Sequence, residues 1–190
     1  MQKPKGKRLV YVEAELLDEA LKVAGKRGES IGKFVEESLR HSVRTESTGF
    51  DLEKVAEFFE VLQAQRNLGG SFVPEEVLSH LTETICAADR RKLEDKWFES
   101  GKWTGKYLRE KFSDPIQALK SFLQATRWDL NEVQVKSGPQ SLRIVCVSTV
   151  LTSEATTMLS KFLEGIVESL GFTKTKTDNM KGMLVLEAVR

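Results

Sequence analysis

A single strand-like segment near the N-terminus, KRLVYVEAEL at residues 7–16, strongly restricts what this chain can fold into. The residues that follow it are helical in pattern, so its own neighbourhood offers no second strand. An isolated strand leaves a row of backbone N–H and C=O groups without hydrogen-bond partners, which is unfavourable in a folded protein. The segment therefore predicts a pairing partner that comes from elsewhere.

Two short amphipathic helices are predicted after this segment. The first covers residues 15–24, and Gly25 and Gly28 mark its end. The second follows Ser30, a favourable N-cap residue. Its apolar stripe has helical spacing and consists of Ile31, Phe34, Val35, Ser38, Leu39, Ser42 and Val43. A unit of about forty residues cannot bury these faces alone, so we expect a two-fold symmetric partner whose strand pairs antiparallel with this one.

Residues 7–44 resemble the ribbon-helix-helix family of DNA-binding proteins. The resemblance lies in the strand-to-helix passage RLVYVEAELLDEAL, the turn KRGES and the second helix SIGKFVEESL. In that family, two strands of a dimer form a ribbon that enters the major groove. The resemblance implies that Val10 and Val12 point inward, into the dimer.

The same resemblance implies DNA contacts for particular residues. Lys7, Leu9 and Tyr11 match the outward strand positions that touch base edges. Ser30 and Ile31 match the helix start where backbone amides bind a phosphate. Leu9 and Tyr11 depart from the polar or basic residues that are usual there, and they offer apolar contact and one hydrogen bond. A module that only dimerises is therefore the alternative.

Positive charge is concentrated at the N-terminus, although the net charge of the chain is only +1. Four basic residues precede the first acidic one: Lys3, Lys5, Lys7 and Arg8. Such a cluster attracts phosphate, so we expect it to add contacts to the DNA backbone; a solvated tail is the alternative interpretation.

The pattern divides the chain into three parts, residues 1–45, 46–73 and 74–190. The polar connector TESTGF leads into a helical linker, and NLGGSFVP ends that linker. In the linker helix, Leu52, Val55, Phe59 and Leu62 are three, four and three residues apart. This spacing either extends a dimer contact or packs the helix on the second domain, and packing is the safer interpretation.

The third part has helices followed by strands, which predicts an α+β fold. Helices are expected over residues 74–85, 87–112, 114–128 and from Thr152 or Ser153 to Gly171. A hairpin with its turn at residues 137–140 and two last strands, TKTKTD and KGMLVLEAV, supply the sheet. Gly101 and Gly105 share one helical face, which indicates close packing of another backbone.

Residues 75–190 also resemble vinyl-reductase-type sensor domains, which are related to the TRAPP vesicle-tethering subunits. The similar passages are FESGKWTGKYL, ALKSFLQATRWDLNEVQV and SKFLEGIVESLGF, followed by a strand pair that ends in KGMLVLEAV. The resemblance implies a small apolar ligand. Some members carry a metal-binding cysteine cluster near the last strands, but TDNMKGMLVL has no cysteine, so we expect no metal site of that type.

Aromatic residues of this part are candidates for lining a ligand pocket, since such cavities are mostly apolar. The candidates are Trp97, Trp103, Phe122, Trp128, Cys146 and Phe162. Filling of the core is the alternative and the preferred interpretation.

Catalysis is the function class that the sequence supports least. His41 and His80 are the only histidines, and neither is close in sequence to a cysteine. GKWTGKY departs from a phosphate-binding loop in its glycine spacing, and Tyr107 stands where Ser or Thr is required. We expect neither an enzyme nor a cofactor.

The sequence thus predicts a homodimeric transcription regulator that binds double-stranded DNA and carries a ligand-sensing domain. The two distant cysteines, Cys86 and Cys146, and the lack of a signal peptide or a long apolar run predict a cytoplasmic protein that makes no membrane contact. The alternative is a dimeric scaffold protein whose TRAPP-like domain docks a protein partner and which binds no DNA.

Overall fold

The computed structural model describes residues 9–49, 51–71, 73–84 and 87–190. In these residues the chain forms seven helices and then, around the last of them, four strands. The helices are α1 (Ala14–Arg27), α2 (Ile31–Glu46), α3 (Leu52–Asn67), α4 (Glu75–Thr84), α5 (Ala87–Lys111), α6 (Pro115–Thr126) and α7 (Ser153–Ser169). The strands are β1 (Glu132–Ser137), β2 (Ser141–Val147), β3 (Thr173–Met180) and β4 (Met183–Val189). The α+β class is confirmed.

Two compact units make up the chain, Met1–Val55 and Ala56–Arg190. The division falls inside α3 and inside the predicted linker, residues 46–73. None of the helices in the described part of the chain combines the length and the apolar run that crossing a bilayer requires.

In the N-terminal unit, α1 and α2 are joined by a tight turn. Gly28 has the left-handed backbone conformation, with φ of 67°, and its N–H donates to the carbonyl oxygens of Ala24 and Gly25. Ser30 then caps α2, since its hydroxyl accepts a hydrogen bond from the Lys33 N–H at 3.3 Å. The predicted helix, glycine turn, cap and second helix are confirmed.

The C-terminal unit is built on a four-stranded antiparallel sheet with the order β1-β2-β4-β3. The predicted hairpin is confirmed: β1 pairs with β2, and Val135 lies opposite Ile144. Alternate residues of the two central strands are buried, as expected for a sheet with one covered face. These residues are Leu142, Ile144, Cys146, Leu184, Leu186 and Ala188.

The helix α7 fills the centre of this unit, between the sheet and α5. Thr152 caps it by accepting a hydrogen bond from the Ala155 N–H at 3.2 Å. Its apolar stripe is buried in one continuous core with the sheet and with α6. The buried residues of α7 in that core are Ala155, Leu159, Phe162, Leu163, Ile166 and Val167.

Glycines allow α5 and α7 to approach closely. A Cβ atom on Gly101 would lie 2.0 Å from the Phe162 carbonyl oxygen, and one on Gly165 would lie 2.1 Å from that of Phe98. Gly105 is similarly close to the backbone of Ile166. The predicted close packing at Gly101 and Gly105 is confirmed.

Candidate functional site

Of the predicted strand-like segment, residues 7–16, residues 9–13 have no regular secondary structure in the single chain, and residues 14–16 belong to α1. Leu9 and Tyr11, the described residues at the predicted outward positions, are 81% and 92% exposed to solvent. Val10 and Val12, which the resemblance turns inward, are exposed as well. A strand exists only through hydrogen bonds to a second strand, so the predicted ribbon is not shown in one copy of the chain. The basic cluster Lys3, Lys5, Lys7 and Arg8 lies outside the described residues.

The start of α2 has the geometry of an anion site but also a nearby acid. Ser30 occupies the cap position, and Ile31 is the first residue of the helix. Glu29 precedes the cap and lies 3.8 Å from the Lys33 ammonium. Because backbone amides and the helix dipole favour an anion at this end, a phosphate here would compete with Glu29 for Lys33.

The polar face of α2 is balanced in charge. Five side chains line a shallow surface depression on it: Lys33, Glu36, Glu37, Arg40 and His41. Arg40 and Glu36 form an ion pair one turn apart at 2.9 Å. Two cations and two anions therefore face solvent here, and this surface offers no excess of positive charge for a polyanion.

The apolar faces of α1 and α2 are largely uncovered. Ala24 is the one buried hydrophobic residue among those described in the N-terminal unit. The exposed large apolar residues of the two helices are Leu16, Leu17, Leu21, Val23, Val35, Leu39 and Val43. A single soluble chain rarely leaves so many apolar residues uncovered on adjacent helices, and such a surface marks an interaction site.

The predicted pocket residues divide into a buried and an exposed group. Phe122, Cys146 and Phe162 are buried in the core of the C-terminal unit, and Trp97 packs edge-on against Phe162 at 6.1 Å between ring centroids. These four belong to one packed cluster, which corresponds to the core alternative. The six predicted residues therefore do not line one common pocket.

Trp103 and Trp128 form the exposed group, at 65% and 72% exposure. The Lys106 ammonium lies 5.1 Å from the centroid of the Trp103 ring, a cation–π contact on the outer face of α5. Trp128 follows α6, and its indole N–H donates to the Ala125 carbonyl oxygen at 2.8 Å. Aromatic composition alone does not indicate which side of a helix such a residue occupies.

Cys146 is the one cysteine among the described residues, and its side chain is buried. Burial raises its pKa to about 12, while Arg127 lowers the pKa and Asp129 raises it slightly further. The thiol is therefore protonated at neutral pH, and a protonated thiol is a poor nucleophile and a poor metal ligand.

Phe58 on α3 is an exposed apolar residue that the sequence analysis did not single out. It lies beside the 3-4-3 pattern of Leu52, Val55, Phe59 and Leu62 and is also exposed. A search for apolar residues that flank a coiled-coil pattern would have found it.

The fold and these surfaces define an α+β protein whose N-terminal helices present an open apolar face. No protein family model matches the chain, and no curated protein is similar enough to it to count as a relative.

Proposed function

We propose that this chain is a homodimeric DNA-binding regulator whose N-terminal unit completes its fold only with a second copy. One observation supports the proposal most: the apolar faces of α1 and α2 are exposed in the single chain. Pairing residues 9–13 as an antiparallel ribbon would supply the missing backbone hydrogen bonds, and packing four helices together would cover those faces.

In this proposal, the ribbon reads DNA and the N-terminal residues bind its backbone. Tyr11 and Leu9 extend from the ribbon toward base edges, together with Lys7. Because the charges on the polar face of α2 are mixed, the positive charge that attracts DNA comes in this proposal from the basic cluster Lys3, Lys5, Lys7 and Arg8. Ser30 and Ile31 hold a phosphate at the start of α2.

The sensing of a small apolar ligand rests on the resemblance of residues 75–190 alone. The buried positions of Phe122, Cys146 and Phe162 favour packing over ligand binding for these three residues. In the proposal, the C-terminal unit is regulatory, and a ligand would act through different affinities for two arrangements of the dimer.

A second candidate function is a dimeric scaffold that binds no DNA. The observation in its favour is the exposure of apolar Leu9 at a position that would have to read bases. In this alternative, the same dimer forms, and the C-terminal unit docks a protein partner.

DNA binding is tested by fluorescence anisotropy of the full chain with duplex DNA at increasing salt. The proposed dimer carries two copies of each lysine, so Lys3→Ala with Lys5→Ala is expected to reduce the slope of log K against log salt by about 4. Lys7→Ala with Tyr11→Ala is expected to raise Kd at least tenfold at one salt concentration.

The matched control is Lys136→Ala, which removes a lysine from the exposed side of β1 and is expected to leave Kd unchanged. Binding that is insensitive to both N-terminal double variants, or absent at low salt, would favour the scaffold.

A further inference from the structure

The helix α3 has two apolar faces. Val61 and Ala64 are buried within the chain. Leu52, Val55 and Phe59 are 44%, 42% and 60% exposed. At 100° per residue, the centre of the exposed group lies about 180° around the helix from the buried group. One face of α3 is therefore used in the single chain, and the opposite face is open.

We propose that the open face of α3 pairs in parallel with the α3 helix of a second copy. Leu52, Val55, Phe59 and Leu62, here called the α3 stripe, have the spacing of a two-heptad coiled coil. The inference rests on the proposed dimer and deepens it, because it assigns a second contact beyond the ribbon and helices α1 and α2.

The short connector between α2 and α3 favours the α3 helix of the second copy as the partner that packs against the stripe. Only residues 47–51 separate the end of α2 from the start of α3, so the two ends lie within about 20 Å of each other along the chain. In a two-fold dimer, both α3 helices begin at equivalent points, and this raises the effective concentration of one stripe for the other. Two-fold symmetry about an axis along the helices makes the pairing parallel and in register.

The residues that flank the stripe are compatible with self-pairing. Within α3, the flanking positions are occupied by Ala56, Phe58, Gln63 and Gln65, and none of them is charged. Like charges across a coiled coil oppose self-association, and here they are missing from those positions. Phe58 is exposed beside the stripe, so it would add apolar area to the contact.

Disulfide cross-linking of the full chain tests the pairing. In a Cys86→Ser background, Val55→Cys is expected to form a covalent dimer on mild oxidation, because symmetry brings position 55 opposite its own copy. Cys146 does not interfere, since it is buried and protonated. Glu60→Cys is the matched control, on the same helix but off the stripe, and it is expected to cross-link at least tenfold more slowly.

Sedimentation equilibrium of the same variants separates this proposal from the dimer on which it rests. A dimer in which Val55→Cys and Glu60→Cys cross-link equally slowly would overturn the α3 pairing and leave the N-terminal dimer standing. A monomer at every concentration would overturn both. As a second readout, Phe59→Ser is expected to weaken the dimer at least tenfold, and Glu60→Ser to leave it unchanged.

Discussion

At the scale of single residues, Cys146 links the core to a measurable pH dependence. Its side chain is buried on β2, and burial raises the thiol pKa from 9.0 to about 12. A folded-state pKa above the unfolded one means that the unfolded state loses the proton first as pH rises. The stabilisation is therefore complete below about pH 9 and is lost between pH 9 and 12.

We expect the free energy of unfolding to fall with pH in that window by about 1.4 kcal/mol per unit more than in Cys146→Ala. Urea unfolding at several pH values measures how the free energy of unfolding depends on pH in each protein. The lysines titrate in both proteins, so their contribution cancels in the comparison. Equal slopes for the two proteins would contradict the buried, protonated thiol.

The sequence could predict that Phe122 and Phe162 are covered, but not that Trp128 is exposed. Phe122 and Phe162 lie on the inner faces of amphipathic helices, and helical periodicity identifies such faces. Trp128 stands just after α6, where no periodicity applies. Its exposure is set by the path of the chain after the helix.

At the scale of elements, the contact between α5 and α7 depends on glycine. Gly101→Ala would place a methyl group 2.0 Å from the backbone oxygen of Phe162, where no side chain can rotate away. We expect the two helices to be forced apart, with a loss of about 1–3 kcal/mol of stability. Thermal or urea unfolding measures the loss.

Ser100→Ala is the control for this substitution. Ser100 is the exposed neighbour of Gly101 on α5, and its replacement is expected to change the unfolding free energy by less than about 0.5 kcal/mol. An unchanged stability of Gly101→Ala would contradict the close approach of α5 and α7.

Elements whose signals are local could be predicted from the sequence. The stripe of α7, its cap at Thr152 and the turn between β1 and β2 all lie within a few residues of the elements they define. The buried face of α3 could not be predicted, because Val61 belongs to a core whose other members are distant in sequence. For the same reason, the ribbon at residues 9–13 stays a prediction, since it depends on a second copy.

At the scale of the whole molecule, the two units differ in how much hydrophobic core each one forms within a single chain. The C-terminal unit has a continuous core that joins the sheet to α6 and α7. The N-terminal unit buries one hydrophobic residue among those described, Ala24. This contrast predicts that self-association stabilises the N-terminal unit by an amount that grows with the logarithm of protein concentration.

The mass of the full chain in solution tests the second copy most directly. Sedimentation equilibrium is expected to give twice 21.4 kDa, with dissociation to 21.4 kDa in Leu39→Glu, which places a charge in the shared core on α2. Gln124→Glu adds the same charge on the exposed side of α6 and is expected to remain dimeric. A mass of 21.4 kDa for the unaltered chain at every concentration would contradict the account.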